Sequence, residues 1–431
     1  MTSLNSIAAS IAPHDGSDMH VDAVRDFLAQ MVTPITESEI VPLLDALGRV
    51  VAGDVISPVS VPPHDNSAMD GFAFDGGQLQ ANAPLQLRCV ATALAGHAWA
   101  GEVKTGECVR IMTGAVMPQG LDTVVPIERT STTEQGHILI AANTVQSGAN
   151  CRKKGEDLMQ GGVALADGEL VTPAALGLLA SLGLCSIHVR RRLRVAYFST
   201  GDEILKPGEP PRPGAVYDSN RYTLFGLLTR LGIQVIDLGT VRDEPALIEG
   251  TFRQAANSAD AIITSGGVSG GDADHTKAMM KRLGDVAFWR IAMRPGRPMA
   301  VGWLDKDKEE STSNRCVLFG LPGNPVAAMV TFLAFVRPAL RNMQGCQRTE
   351  PPRLRAICTE TLRKRPGRTE FQRGIVSQAP DGSLHVCATG EQGSGMLSSM
   401  VHANGLIVLP HEAATIQLGE TVEVMMFEGV I

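Results

Sequence analysis

The sequence predicts a multidomain α/β plus β protein. A central α/β domain is built on a mixed, mainly parallel sheet, with smaller β domains before and after it. Three observations carry this. Residues 193–340 alternate strand-like apolar runs with helical ones, the rhythm of a parallel sheet covered by helices. Residues 85–145 and 349–431 instead hold short apolar runs broken by Gly, Pro and Asn, the rhythm of small β domains. Finally, 431 residues exceed what one typical hydrophobic core holds.

Taken in order, residues 1–17 read as a flexible extension. Val21, Val24, Leu28 and Met31 then recur at near-helical spacing and predict a helix over 18–31. A second helix is expected over about 37–47, with Thr36 as N-cap and Glu39 completing a capping box. Pro58, Pro62 and Pro63 break the chain before Asp65-Asn-Ser-Ala-Met-Asp-Gly71, whose Asp, Asn and Ser suit turns and caps. Strands are expected at 85–91, 107–112, 122–127 and 137–142, with Thr113 at a strand end. A charged run, 151–157, reads as solvated surface or as part of a site. A helix over 173–183 should stop at Gly183. In the α/β segment the expected strands are 194–199, 233–238, 260–264, 286–291 and 315–320. The expected helices are 219–231, 244–257, 275–283 and 324–340. C-terminal strands are expected at 354–359, 384–388, 405–410 and 421–427.

Composition excludes some functions. A net charge of −7 argues against a general nucleic-acid binder, though not against a local basic pocket. The eight cysteines form no CxxC pair, which fits a reducing, cytoplasmic compartment. No stretch reads as membrane-spanning, and the N-terminus does not read as a signal peptide, because His14, Asp15 and Asp18 stand where an apolar core should continue. There is no GxGxxG, no P-loop motif and no GxSxG elbow, so a dinucleotide site, a P-loop ATPase and a serine hydrolase are not expected. His64, His275 and His402 are isolated and lack metal-ligand spacing.

In an α/β sheet, ligands sit beyond the carboxyl ends of the strands. The residues that fall there are Ser199–Glu203, Arg242-Asp243, the glycine loop 265–274 and Leu321-Pro-Gly-Asn-Pro325. The loop Ser265-Gly-Gly-Val-Ser-Gly-Gly-Asp-Ala-Asp274 offers bare backbone amides for an anion, or is an ordinary βα turn. Glu203, Asp243, Asp272 and Asp274 are acids at strand ends, able to hold Mg²⁺ or simply to cap loops. Arg290, Arg294 and Arg297, around the stiff Pro295-Gly-Arg-Pro298, offer planar forks for a tetrahedral oxyanion, or are surface arginines.

Taken together, these motifs resemble the bacterial MoeA family, the molybdopterin molybdenumtransferases related to the gephyrin E domain. The resemblance rests on Asp65–Gly71, Ile111-Met-Thr-Gly114, Gly155-Glu-Asp157, Ser199–Glu203, Tyr217-Asp-Ser-Asn220, Ser265–Ser269, Asp272-Ala-Asp274, Pro295–Pro298 and Pro322–Pro325, in family order over about residues 18–430. It implies a discontinuous elongated linker domain (18–60 and 146–190), a small β domain (61–145), a molybdopterin-binding α/β domain (191–344) and a barrel-like C-terminal domain (349–431). It implies a transferase that takes adenylylated molybdopterin and molybdate, releases AMP and uses Mg²⁺. It also implies a homodimer whose site is shared between subunits. The partners it implies are the adenylyltransferase acting one step earlier and the proteins that mature molybdoenzymes, with no nucleic acid or membrane.

By resemblance, Asp274, Glu203 and Asp243 line the catalytic and metal region, while Asp70 and Asp157 belong to the partner-facing side. Thr113, Arg152, Thr200, Ser269, Gly270, Gly271, Pro322, Pro325 and Ser394 are implied substrate or anion contacts, along with Arg290, Arg294 and Arg297. Asp272 is the loop-capping acid. Many members carry lysine at some of the three basic positions; arginine here keeps the charge but replaces a point donor with a planar fork.

Overall fold

In the computed structural model, residues 4–11, 18–268, 275–307 and 315–427 are described. The central sheet has six strands in the order Gln234–Val241, Arg194–Thr200, Ala261–Ser265, Arg315–Leu321, Pro298–Asp305, Gly284–Arg290. The first four are parallel and the last two antiparallel. Side chains alternate across it, as a pleated strand requires. Val195, Tyr197, Ile263 and Phe319 face one core, with Leu224, Leu228 and the helix Pro325–Met343. Ala196, Phe198, Ile262 and Leu318 face the other, with Ile248, Phe252 and Met279.

The helix Pro325–Met343 is long and apolar enough to cross a membrane by length and composition, contrary to the expectation that no stretch reaches that length, and most of it is buried inside the protein. It contains a π segment, Phe332–Val336, just before Pro338. Pro338 has no N–H to offer the Ala334 carbonyl; Arg25 Nε donates to that oxygen at 3.4 Å. This ties helix Val21–Met31 to the core.

The C-terminal segment closes into a barrel. Strands Thr369–Gln378, Leu384–Ala388, Arg353–Cys358, Thr421–Met426 and Gly405–Leu409 pair in turn, and the last returns to the first. Met293–Arg294 of the α/β segment pairs parallel with Thr369–Glu370, splicing the arginine loop onto the barrel. The small β domain is a six-stranded sheet from Gly71–Phe74 to Ile138–Ile140. The linker between it and the α/β segment is made of short two-stranded pairs, such as Asn66–Ser67 with Cys151–Arg152.

Three expectations need correction. Residues 37–47 are not a helix: Ser38–Pro42 is a strand paired with Ser186–Arg190, and only Leu43–Ala46 makes a short 3₁₀ turn. Pro42 pushes Val41 out of the helical region, and Ile40 and Val41 are β-branched. Within residues 1–17, Leu4–Ile11 is a helix, with Leu4 and Ile7 buried against the main core and the Leu4 N–H donating to Asp285 Oδ2 at 3.0 Å. Leu4, Ile7 and Ala8 form the apolar stripe of this helix and pack against the main core. The strands Pro298–Asp305 and Thr369–Gln378 and the helix Leu397–His402 were not anticipated.

Candidate functional site

The four parallel strands end in register: Ser199 beside Ser265, Ser265 beside Leu321, Thr200 beside Val241. Above these ends lies a cleft of about 1050 Å³. Its floor is a buried polar network. The Tyr197 hydroxyl lies 2.8 Å from both Ser199 Oγ and Ser265 Oγ. Ser199 Oγ donates to Asp218 Oδ2 at 2.6 Å, and Thr240 Oγ1 donates to the same oxygen at 3.3 Å. Asp218 Oδ1 accepts the Arg221 N–H at 3.0 Å, capping the helix Ser219–Arg230. Burial, reinforced by the Asp218 charge, pushes the Tyr197 phenol well above its usual range, so it stays protonated.

The loop after Ser265 begins with two glycines that the fold requires. Gly266 has φ +92, and a Cβ there would sit 2.8 Å from the Thr200 carbonyl oxygen; at Gly267, φ +69, it would sit 2.5 Å from Thr276 Cβ. Opposite, Pro322-Gly-Asn-Pro325 opens the long helix. Asn220 Nδ2 donates to the Gly323 carbonyl at 2.8 Å, and Asn324 Nδ2 to Ser394 Oγ at 3.3 Å. The Val326 N–H donates to the Ser394 carbonyl at 3.1 Å, so a barrel loop is docked on the helix start. That loop is braced from behind by the buried Arg373, which donates to Ser399 Oγ at 2.9 Å and to the Gly393 carbonyl at 3.0 Å.

The structure brings Thr200, Glu203, Arg294, Arg297, Pro322, Pro325 and Ser394 to this cleft. Asp243 and Arg290 are not among its lining residues, although the Asp243 N–H donates to Asp202 Oδ1 at 3.3 Å and so joins two strand-end loops. Ser269, Gly270, Gly271, Asp272 and Asp274 lie outside the described residues. Asp70 and Thr113 meet elsewhere, in the small β domain. The Thr113 N–H and Oγ1 both donate to Asp70 Oδ1 at 2.7 Å, and these bonds hold the Asp70 carboxyl below its usual range. Arg152 pairs in register with Asn66 nearby in the chain's linker, and the Asp157 N–H donates to the Val61 carbonyl at 3.1 Å. Ser67 and Gly114 are joined by a main-chain bond, so these residues share one neighbourhood, apart from the cleft lining.

Cations also differ from expectation. Arg297 and Arg290 both pair with Asp18, and Arg294 faces Glu370 at 3.9 Å. Arg368, from a barrel turn, lines the cleft as well and had not been singled out. Its run, Arg363-Lys-Arg-Pro-Gly-Arg368, reads in sequence as a solvated turn; only the barrel's closure onto Met293–Arg294 brings it to the site. Asp218 and Asn220 stood in a motif, but no role attached to them there.

Among the described residues, no three His, Cys, Asp or Glu side chains converge as metal ligands. An all-protein metal cage is therefore not formed by them. One carboxylate on the cleft, Glu203, together with oxygens of a phosphate-bearing substrate is a donor set that Mg²⁺ accepts.

Three family profiles match the chain. They are described as MoeA N-terminal region (domain I and II) over residues 19–183, probable molybdopterin binding domain over 196–342, and MoeA C-terminal region (domain IV) over 355–427. The chain is 40% identical over 412 residues to a molybdopterin molybdenumtransferase of Haemophilus influenzae, covering 95% of this chain and 99% of that one. It is 33% identical over 396 residues to a molybdopterin molybdenumtransferase of Bacillus subtilis, covering 90% of each. A crystal structure of the molybdopterin biosynthesis moeA protein from Pyrococcus horikoshii OT3 superposes with a TM-score of 0.80 at 26% identity, covering 95% of this chain and all of that one. With matched regions running from residue 19 to residue 427 in the family's own order, this chain belongs to the MoeA family.

Proposed function

We propose that this chain is a molybdopterin molybdenumtransferase. It takes adenylylated molybdopterin and molybdate, breaks the pyrophosphate bond, releases AMP and leaves molybdenum on the dithiolene. Membership of the MoeA family and 40% identity to a molybdopterin molybdenumtransferase support the transferase class. The observation that carries the chemistry is the cleft itself. It sets Glu203, with Asp218 in the floor, against Arg294, Arg297 and Arg368 at the carboxyl ends of a parallel sheet, a place where an anionic substrate is both attracted and held.

In this reading the arginines take the oxyanion of molybdate or phosphate, and their fixed forks stabilise charge as it develops. Thr200, Ser394 and the turn Pro322–Pro325 shape the pocket around it. Glu203 acts with Asp243 and Asp274 on the phosphate side, and the amides of Ser269, Gly270 and Gly271 cradle a phosphate. Bound Mg²⁺ would neutralise the charge shared between the two phosphates. Protein nucleophiles are not needed, because a molybdate oxygen or water can attack phosphorus as AMP departs. Asp70, Thr113, Arg152 and Asp157 form the facing wall, supplied by a second copy in a cytoplasmic homodimer. Val216 and Tyr217, which line the cleft and are exposed, offer apolar surface to that copy.

The test is AMP release from adenylylated molybdopterin by the purified chain, with molybdate and Mg²⁺ each omitted in turn. Release that needs both supports the reading; ATP consumption without it would point to an adenylyltransferase instead. Asp274→Ala should impair turnover far more than folding, and a variant that releases AMP near the wild-type rate would refute the role given to Asp274.

A further inference from the structure

Two of the arginines expected to face an oxyanion are already engaged. Arg297 donates from Nε to Asp18 Oδ2 at 2.7 Å and from Nη2 to Asp18 Oδ1 at 2.9 Å, a parallel two-bond fork. Arg290 Nε lies 3.2 Å from Oδ1 of the same carboxylate. Asp18 is mostly buried, whereas Arg297 remains one-third exposed and lines the cleft.

The main chain fixes this acid in place. The Met19 N–H donates to the Arg290 carbonyl at 2.8 Å, and the Ala292 N–H donates to the Met19 carbonyl at 2.8 Å. The Ile291 N–H donates to the Arg297 carbonyl at 2.7 Å, closing the loop that carries both arginines. Asp18 is thus zipped beside the loop by backbone bonds that do not depend on its side chain. It stands one residue ahead of the region matched by the MoeA N-terminal profile.

We infer that Asp18 is a positioning residue that presets the basic wall of the cleft. The inference rests on the reading of that cleft as an oxyanion site. Adjacent guanidinium groups repel unless a shared carboxylate holds them. The fork uses the Nε–Nη2 edge of Arg297, which fixes the plane of the group and leaves Nη1 to a ligand. A side chain with its rotamer already fixed gives up less freedom when the ligand arrives. An acid at this position also discriminates among oxyanions, because a held fork accepts only those whose oxygens match it.

Removing the carboxylate has two opposed consequences, and their signs separate the roles. If Asp18 positions Arg297, its loss weakens oxyanion binding. If Asp18 merely competes with the ligand, its loss tightens binding. The experiment uses the full chain with molybdate and sulfate as probes, measured by titration calorimetry on wild type, Asp18→Asn and Asp18→Glu. The expected result is molybdate binding weaker by roughly tenfold in Asp18→Asn, the scale of a lost charge-assisted hydrogen bond. Preference over sulfate should fall with it, and Asp18→Glu should recover part of both. A second readout is independent of any ligand: phenylglyoxal labelling of Arg297, followed by mass spectrometry, should rise in Asp18→Asn at an unchanged thermal midpoint. Unchanged labelling overturns the inference, as does binding that is unchanged or tighter in Asp18→Asn. Wild-type protein that binds neither oxyanion would overturn the reading of the cleft, while the labelling result still decides whether Asp18 holds Arg297.

Discussion

Replacing Asp218 by alanine removes three interactions at once from the floor of the cleft. Its carboxylate accepts from Ser199 Oγ at 2.6 Å, from Thr240 Oγ1 at 3.3 Å and from the Arg221 N–H at 3.0 Å, and the side chain is buried. Loss of the N-cap alone costs ~1 kcal/mol. The Ser199 hydroxyl, also buried, keeps Tyr197 as a neighbour but loses its acceptor, which costs a further ~1–2 kcal/mol. The 3.3 Å contact to Thr240 is long and adds little. The expected total is ~2–3 kcal/mol. Trp289 and Trp303 both lie in the central sheet, so tryptophan fluorescence during urea unfolding reports largely on this domain. At a urea slope of ~2–3 kcal/mol/M the midpoint should fall by about 1 M. Asp218→Asn keeps a capping oxygen and should lose roughly half as much. A midpoint shift below ~0.2 M for Asp218→Ala, with the slope unchanged, would refute the claim that this network holds the strand ends together.

Other expectations follow from the same geometry. Arg368→Ala should raise KM for the adenylylated substrate by about tenfold with a smaller change in kcat, as loss of one charge-assisted contact implies; steady-state AMP release measures it. Gly266→Ala forces a left-handed residue to place Cβ against the Thr200 carbonyl, and should cost ~1–3 kcal/mol in urea unfolding and weaken substrate binding. Asp260 gives a pH-dependent case. Burial disfavours its charge, but hydrogen bonds from Arg191 and the Arg194 N–H, with the charges of both arginines, hold its carboxyl below the usual range. A lowered folded value contributes stability that is full above the unfolded value of ~3.9 and is lost as pH falls through the folded value. Asp260→Asn should therefore be clearly less stable than wild type at pH 7, with the gap narrowing below about pH 4; a gap that is constant from pH 7 to pH 3 would contradict the assignment.

The central domain was legible because its local signals agree. Apolar runs of strand length alternate with helical ones, and Gly or Pro directly follows the strands that end at Thr200, Ser265 and Leu321, so the cleft at the carboxyl ends was legible from sequence. The barrel was half legible. Thr369–Gln378 escaped notice because Thr369 to Gly374 are buried on both faces and carry polar residues on each, Glu370 and Gln372 on one and Arg373 on the other, which are bonded rather than apolar. No periodicity of hydrophobic residues could reveal a strand whose buried faces carry polar residues. Residues 37–47 failed differently: a cap-like Thr36 and Glu39 suggested a helix, but pairing with Ser186–Arg190, far away in sequence, decided the outcome. The site shows the same division. Glu203, Arg294, Arg297, Pro322 and Ser394 sit in recognisable motifs and reach the cleft. The pairing of Asp18 with arginines 272 and 279 residues later, and the arrival of Arg368, are products of tertiary structure alone.

The two-residue splice of Met293–Arg294 onto Thr369–Glu370 bears on how this protein could be taken apart or recombined. One wall of the cleft is carried by the α/β segment, and the other, with Arg368 and Ser394, hangs from the barrel. A barrel grafted from a relative would have to reproduce both this edge pairing and the seat of its loop on Val326, or the halves of the cleft would close out of step. The C-terminal piece is thus the second jaw of a vice whose screw thread is two residues long.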